Sequence, residues 1–352
     1  MSEEGTPPGV VVEALGVPIG IPVTGDAVVR LRRQWSRALT DRAAATVVDL
    51  AHLSTDDEVA HDYAVTSRVT LAALDATAGR RINLHAGAVA DDAGRTLAVI
   101  GASGSGKTTA VQKLARRLGY VSDETTSIDE HLVVHPHPKP LSVITDGNAP
   151  LVKHSLSPDD LDLLRPPATP YLHRLVLLHR GAGDDGLVPM APARAIAEIV
   201  AQSSSLTRLD HPIQRLADTI DACGGAWGLH YRELEHWLDD LVGLLDGDGQ
   251  PPLPRLHHPG SRDVEVAPGA WARAPWRDAV EYDDELVLMV DDRVHVLAGL
   301  GVVLWLALYV PRTTDELLAE VEELWGTHPE APQLVTGALE LMHREGMLRA
   351  PA

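Results

Sequence analysis

The chain has 352 residues and a formal net charge of -20, which excludes the broad basic surface that sequence-independent nucleic-acid binding needs. Hydrophobic residues make up 45%, enough for two or three domain cores, although Phe is absent. Cys223 is the only cysteine, so no disulfide can form within the chain.

The single cysteine fits a reducing compartment and predicts a cytoplasmic protein, and two segments agree with this prediction. The first ten residues are acidic and rich in Pro and Gly, unlike a signal peptide. The most apolar run, 296–310, is shorter than the ~20 residues that cross a bilayer. We therefore expect no membrane association, and a buried strand end and helix for this run.

Residues 1–80 have the composition of a small α/β segment that packs on the core. The stretch 10–23 predicts strands. Residues 26–39 predict a helix, because Val28, Leu31, Trp35 and Leu39 recur on one face. The stretch 61–74 predicts either another strand or a short helix.

A phosphate-binding loop follows. Two apolar runs flank "DDAGR", which predicts a hairpin, and the second run leads into "GASGSGKT" and a helix over 107–118 that ends at Gly119. This sequence fits G-x-x-x-x-G-K-[ST], whose glycines let backbone N–H groups point at phosphates. The predicted ligands are ATP and Mg²⁺. The predicted nucleotide-binding residues are Gly101, Ser103, Gly104, Ser105, Gly106, Lys107, Thr108 and Thr109.

The acidic pair Asp123-Glu124 follows the loop after a length that allows one helix and one returning strand. A strand parallel to the first would bring Asp123 to the carboxyl edge of the sheet, beside the phosphates. There it could hold Mg²⁺ together with Thr108, or take a proton from an attacking hydroxyl. The later apolar run 174–180 ends without an acid. The alternative is a solvated acidic loop in which Asp123 caps a turn.

This arrangement resembles the HPr kinase family, through "LHAGAVA", "GASGSGKT" and "YVSDE". The resemblance covers roughly residues 80 to 245. It implies that Asp123 is the catalytic base, that Glu124 is its acidic neighbour, and that His85 lies near the γ-phosphate with Lys107. Taken alone, His85 also fits a structural histidine. The Arg-rich loop of true HPr kinases is absent, and the chain is more similar to the HPr kinase-like enzymes that phosphorylate precursor peptides in lasso peptide pathways.

The segment "VVHPHPKPLSV" is similar to a Pro-Lys-Pro-Leu segment in HPr kinase-related proteins. Lys139 is expected either to reach phosphate or substrate or to be solvated. His135 and His137 give weak support for a metal site, because no third ligand is near in sequence.

Residues 246–269 are rich in Pro and Gly and predict a linker. Beyond it, residues 270–352 predict three strands, "DAVEY", "LVLMV" and "VHVLA", and three helices that begin near Gly299, Thr313 and Ala331. This pattern resembles PqqD-like domains, small winged-helix-like modules that bind leader peptides. The resemblance implies that a peptide adds beside the strand around 293–297, with the helix around 334–343 as the other wall of a groove. The alternative is a structural or dimerising domain.

The sequence thus predicts an α/β protein with a short N-terminal segment (1–80), an HPr kinase-like P-loop domain (81–245), a linker (246–269) and an α+β PqqD-like domain (270–352). The predicted function is ATP-dependent transfer of phosphate to a hydroxyl of a peptide or small protein, with serine as the expected acceptor. Two alternatives stay open: an ATPase or GTPase that drives a peptide-modifying partner, and a non-catalytic adaptor that binds peptide. A homo-oligomer is also left open.

Overall fold

The computed structural model describes residues 9–53, 57–144, 153–181, 183–261 and 268–351. The chain divides into two compact units. The first contains residues 1–189, 202–209 and 222–250, and the second contains residues 190–201, 210–221 and 251–352.

The helices are α1 (Asp26–Gln34), α2 (Glu58–Thr77), α3 (Lys107–Leu114), α4 (Pro192–Val200), α5 (Pro212–Ala222), α6 (Leu238–Gly243), α7 (Leu300–Ala307), α8 (Thr314–Trp325) and α9 (Ala331–Arg344). The strands are β1 (Val10–Ala14), β2 (Val17–Ile21), β3 (Thr46–Val47), β4 (Ile82–Leu84), β5 (Ala86–Ala90), β6 (Arg95–Ile100), β7 (Gly119–Ser122), β8 (Thr126–Ile128), β9 (Val134–His135), β10 (Leu141–Ile144), β11 (Lys153–Leu156), β12 (Tyr171–Arg180), β13 (Gly186–Pro189), β14 (Ser203–Ser204), β15 (Ala226–Tyr231), β16 (Leu256–Pro259), β17 (Ala272–Arg273), β18 (Asp278–Glu281), β19 (Glu285–Val290), β20 (Arg293–Ala298) and β21 (Leu348–Arg349).

The N-terminal segment forms the predicted α/β layer, with β1 and β2 as a hairpin and β3 beside β2. Leu31 and Trp35 are fully buried on the predicted face of α1, which ends at Gln34. The stretch 61–74, for which the sequence favours either a strand or a short helix, lies within the 20-residue helix α2. The Asp57 carboxylate caps it by accepting the N–H groups of Val59 and Ala60.

The main sheet has the strand order β13-β15-β12-β6-β5-β7. The predicted hairpin is confirmed as β5 and β6, and Asp91 closes its turn by accepting two backbone N–H groups. Strands β12 and β15 run parallel to β6. Strand β7 pairs antiparallel with β5, so it runs in the predicted direction, parallel to β6, but β5 lies between them.

Helix α3 is shorter than predicted. It ends at Leu114, whose carbonyl accepts the N–H groups of Arg117 and Leu118 in a closing turn. Gly119 therefore starts β7 instead of capping the helix.

The second unit contains the predicted C-terminal elements. Strands β16, β18, β19 and β20 form one sheet in this order, followed by α7, α8 and α9. Thr313 and Glu316 form a capping box at the start of α8, in agreement with the predicted helix start.

The domain organisation differs from the prediction in two respects. Part of the predicted linker is β16, which pairs with β18. Two segments from the predicted P-loop domain belong to the second unit, because α4 packs against β19 and β20 and the N–H groups that open α5 bond to the buried carboxylate of Asp278. The apolar residues of α4 and α5 do not indicate in the sequence which of the two units each helix belongs to.

Candidate phosphate-binding and acidic site

Three strand ends meet at one edge of the main sheet. β6 ends at the glycine-rich loop, β7 ends at Asp123, and β5 begins just after His85. Because β6 and β7 both run antiparallel to β5, the carboxyl ends of β6 and β7 lie at the same edge as the amino end of β5. The predicted loop, acidic pair and histidine are therefore neighbours.

The loop has the backbone that its glycines predict. Gly104 and Gly106 have φ values of 82° and 90°, a region that side chains disfavour. A Cβ at Gly106 would also lie 2.5 Å from the Tyr231 hydroxyl, which donates to the Ser105 carbonyl. Tyr231 ends β15 and thus fixes the loop just before α3, an interaction that sequence reasoning missed.

Lys107 is a buried cation at the start of α3. Its ammonium donates to the carbonyls of Gly101 and Ala102. Within the described ranges no carboxylate lies within ion-pairing distance of it. Burial lowers the pKa of Lys107, while the charge of Glu124 acts weakly to raise it. A buried positive charge held only by carbonyls fits an anionic ligand.

The acidic turn after β7 is stabilised by hydrogen bonds between its own residues. The Ser122 hydroxyl donates to the Thr125 carbonyl and accepts the Thr125 N–H. The Asp123 side chain is only 5% exposed, and its Oδ1 accepts the hydroxyl of the fully buried Tyr120 at 3.1 Å. The alternative of a solvated acidic loop is therefore wrong, because Asp123 is buried against its own strand.

Lys139 joins the two acids. Its Nζ lies 3.1 Å from Asp123 Oδ1 and 3.1 Å from Glu124 Oε2, and its side chain is 3% exposed. Burial acts to lower the pKa of Lys139, but the two carboxylates outweigh it and raise the pKa. The expectation of a solvated surface lysine is thus wrong. Its contact with the acids is one that the sequence did not indicate.

The oxygens of the two acids differ in what they contact. Both contacts of Asp123 use Oδ1, and no group in the described part of the chain donates to its Oδ2. The Glu124 side chain is 52% exposed. Burial acts to raise the pKa of Glu124, but the charge and hydrogen bond of Lys139 lower it overall. Asp123 therefore has one oxygen without a donor among the described residues, and the Glu124 carboxylate is open to solvent.

His85 is half-buried just before β5, and its backbone N–H donates to the Gln202 carbonyl at 2.6 Å. Burial, and then the charge of Lys107, lower the pKa of His85. The imidazole is therefore neutral near pH 7. This influence of Lys107 agrees with the close placement of His85 and the loop.

The donor set fits a nucleotide phosphate and a divalent cation. The Ser105 hydroxyl is buried without a hydrogen-bond partner in the described ranges, and Lys107 lacks an anion. Thr108 is half-buried at the first turn of α3, whereas Ser103 and Thr109 are exposed. Hydroxyl and carboxylate oxygens are the ligands that Mg²⁺ prefers.

His135 and His137 do not converge on one point. His135 Nε2 lies 3.0 Å from Asp129 Oδ2, and His137 Nε2 lies 3.0 Å from the Thr70 hydroxyl. Among the described residues, one group of three has metal-ligand spacing, His211, His257 and Asp278 in the second unit. There, His257 Nε2 lies 2.6 Å from Asp278 Oδ1, and Asp278 Oδ2 accepts the N–H groups that open α5. A charge-assisted hydrogen bond and a helix cap account for this cluster.

Comparisons with known proteins leave the family open. No protein-family model matches the chain, and a search of curated proteins finds no significant relative. None of the helices in the described ranges combines the length and apolar character that a membrane crossing needs.

Proposed function

We propose that the chain is an ATP-dependent kinase that transfers phosphate to a hydroxyl of a peptide or small protein. The observation that carries this proposal is the meeting of a loop with an uncompensated buried cation, Lys107, and a buried carboxylate, Asp123, at one sheet edge. Phosphoryl transfer needs a cradle for the phosphates and a group that orients the acceptor, and the loop and Asp123 are the candidates for these two roles.

In this proposal the acceptor oxygen bonds to the γ-phosphorus while the bond from that phosphorus to the β–γ bridging oxygen breaks, releasing ADP. Lys107 and the N–H groups of the loop bind the β- and γ-phosphates. Asp123 takes the proton of the acceptor hydroxyl on Oδ2, while Tyr120 and Lys139 hold Oδ1. Thr108 would help to hold Mg²⁺, which offsets phosphate charge during transfer.

The direct test is incubation of the full chain with Mg·ATP and candidate Ser- or Thr-containing peptides, followed by mass analysis. The peptides include any short precursor encoded beside this chain. Phosphorylated peptide that is absent with Lys107→Ala supports the kinase. ADP release with no phosphorylated peptide would favour the ATPase or GTPase alternative, and no nucleotide turnover would favour an adaptor.

The second unit is proposed to deliver the substrate by binding its leader. Strand β20 is the outer strand of its described sheet, and Val296 on it is 40% exposed. An open strand edge can accept a further strand from a peptide. Helices α4 and α7 pack against β20, whereas α9, the helix expected as the second wall, packs against α7, α8 and β21.

Substitution at the edge tests delivery. Val296→Glu should slow phosphorylation of a full-length precursor but spare a short acceptor at high concentration, because the loss is in effective concentration. Equal slowing of both substrates, or of neither, contradicts a delivery role.

A further inference from the structure

A cavity of about 300 Å³ opens beside the acidic turn. It is lined by His85, Glu124 and Lys139 and by one face of α2. This volume lies at the lower end of the roughly 300–1,000 Å³ range of ligand pockets. It suits one or two side chains of an extended segment and is too small for a folded domain.

Helix α2 has two different faces. Val65, Val69 and Ala73 are fully buried in the core of the N-terminal layer. The other face, which includes Tyr63, Ser67 and Leu71 one and two turns apart, lines the cavity. Tyr63 and Leu71 are more than half exposed, so apolar groups border the cavity without being covered.

The chemistry of the cavity favours an uncharged occupant. Lys139 already contacts both Asp123 and Glu124, so its charge is compensated. Hydroxyls of Ser67 and Ser142 supply neutral polar contacts, and the lowered pKa of His85 keeps that ring neutral near pH 7. A serine or threonine flanked by small apolar residues matches this lining.

We propose that this cavity is the acceptor pocket, in which α2 holds the segment that carries the reacting hydroxyl. The hydroxyl would reach past Lys139 to Asp123, which contacts Lys139 but does not itself line the cavity. The contribution of α2 makes the N-terminal layer part of the substrate site. The reaction chemistry of this inference rests on the proposed kinase function, but occupancy of the pocket can be tested without phosphoryl transfer.

The test is selection of random displayed peptides on the full chain with Mg²⁺ and a non-hydrolysable ATP analogue, using two matched variants. Ser67→Trp fills the pocket from α2. Arg68→Trp introduces the same side chain at the next, exposed position, which does not line the pocket. We expect selected peptides to contain Ser or Thr beside small apolar residues, to lose about 10-fold or more in affinity for Ser67→Trp, and to keep it for Arg68→Trp. Peptides that bind both variants equally, or no selected peptides, would overturn the pocket.

A smaller substitution at the same position, Ser67→Cys, tests the pocket even if Ser67→Trp does not fold. Cys223 is buried and its pKa is raised to about 12 by burial, so it is a poor nucleophile. A maleimide should therefore label Ser67→Cys at that position, and the selected peptide should slow the labelling. Labelling that the peptide leaves unchanged counts against the pocket.

The two proposals fail differently. Pocket-dependent peptide binding without phosphorylated product leaves the pocket intact and rejects the kinase. Phosphorylation that Ser67→Trp does not affect keeps the kinase and rejects the pocket.

Discussion

The glycine-rich loop and the acidic turn each bury one lysine, with opposite surroundings. Among the described residues, Lys107 contacts carbonyls and no carboxylate, and burial lowers its pKa. Lys139 is buried as well, but its two carboxylates raise its pKa. The comparison shows that burial alone does not decide the role of a charge. An unpaired cation is ready to bind an anion, whereas a paired one holds its partners in place.

The largest expected effect tests the loop side. Lys107→Met should reduce nucleotide turnover by about 10²–10³-fold, because it removes a preorganised charge that faces the phosphates. Turnover is measured as ADP release with saturating Mg·ATP. Wild-type turnover in a folded Lys107→Met protein would remove the basis for assigning the loop to phosphate.

Replacement of the second lysine, Lys139, by Met should lower stability. Lys139→Met leaves Asp123 buried without its cation and should cost about 3 kcal/mol in unfolding free energy. The raised pKa means that this stabilisation is complete below the ordinary value of 10.5 and is lost as pH rises through the higher folded-state pKa, so the comparison belongs near pH 7.

Urea denaturation without nucleotide measures the contrast between the two lysines. Lys107→Met should leave stability unchanged or raise it, because it removes an uncompensated buried charge. Equal destabilisation by the two variants would mean that the two lysines contribute equally to the unfolding free energy, and would contradict the contrast between them.

The next effect separates the two acids. Asp123→Asn keeps the shape of the side chain but cannot accept the proton, so transfer to a peptide should fall by about 10²-fold while ATP still binds. Glu124→Gln is the matched control at the half-exposed neighbour and should have a smaller effect. A larger loss with Glu124→Gln would reverse the two roles.

The smallest expected effect is a change in the pH dependence of stability, and it concerns His137. Burial, and then the charge of Lys139, lower the pKa of His137 from 6.5 to about 3. Below pH 6.5 the unfolded chain therefore binds a proton that the folded chain does not, so stability falls as pH falls. Between pH 6.5 and pH 5 this group alone should cost about 1–2 kcal/mol.

The unfolding free energy of His137→Gln, measured from denaturation curves, should fall less between pH 6.5 and pH 5 than that of the wild type, by the same amount. His131→Gln, at a side chain that is 80% exposed, is the control and should keep the wild-type slope. Parallel slopes for wild type and His137→Gln would show that His137 is not held neutral.

Local signals explain what the sequence could predict. The spacing from Gly101 to Thr108, the turn around Asp91 and the cap at Thr313 are all set by neighbours within a few residues. The helix and strand positions beyond residue 270 were predictable for the same reason.

Long-range packing explains what remained hidden. The contacts of Lys139 with two acids, and of His137 with Thr70, join segments that no periodicity connects. Helix α2 was ambiguous because both of its faces carry apolar residues, so the pattern has no clear helical period. The placement of α5 with the second unit depends on Asp278, and that of α4 depends on β19 and β20, all of which lie far along the chain.

That placement has a consequence for synthesis on the ribosome. Helix α4 buries Ile196 and Ile199 and packs against β19 and β20, which are translated roughly 100 residues later, or about 5–20 s at typical elongation rates. Throughout this interval the apolar face of the nascent helix lacks its final partner. A nascent chain stalled before β19 should therefore engage chaperones more strongly than one released after β20, and the elongation rate across this interval should influence the yield of folded protein.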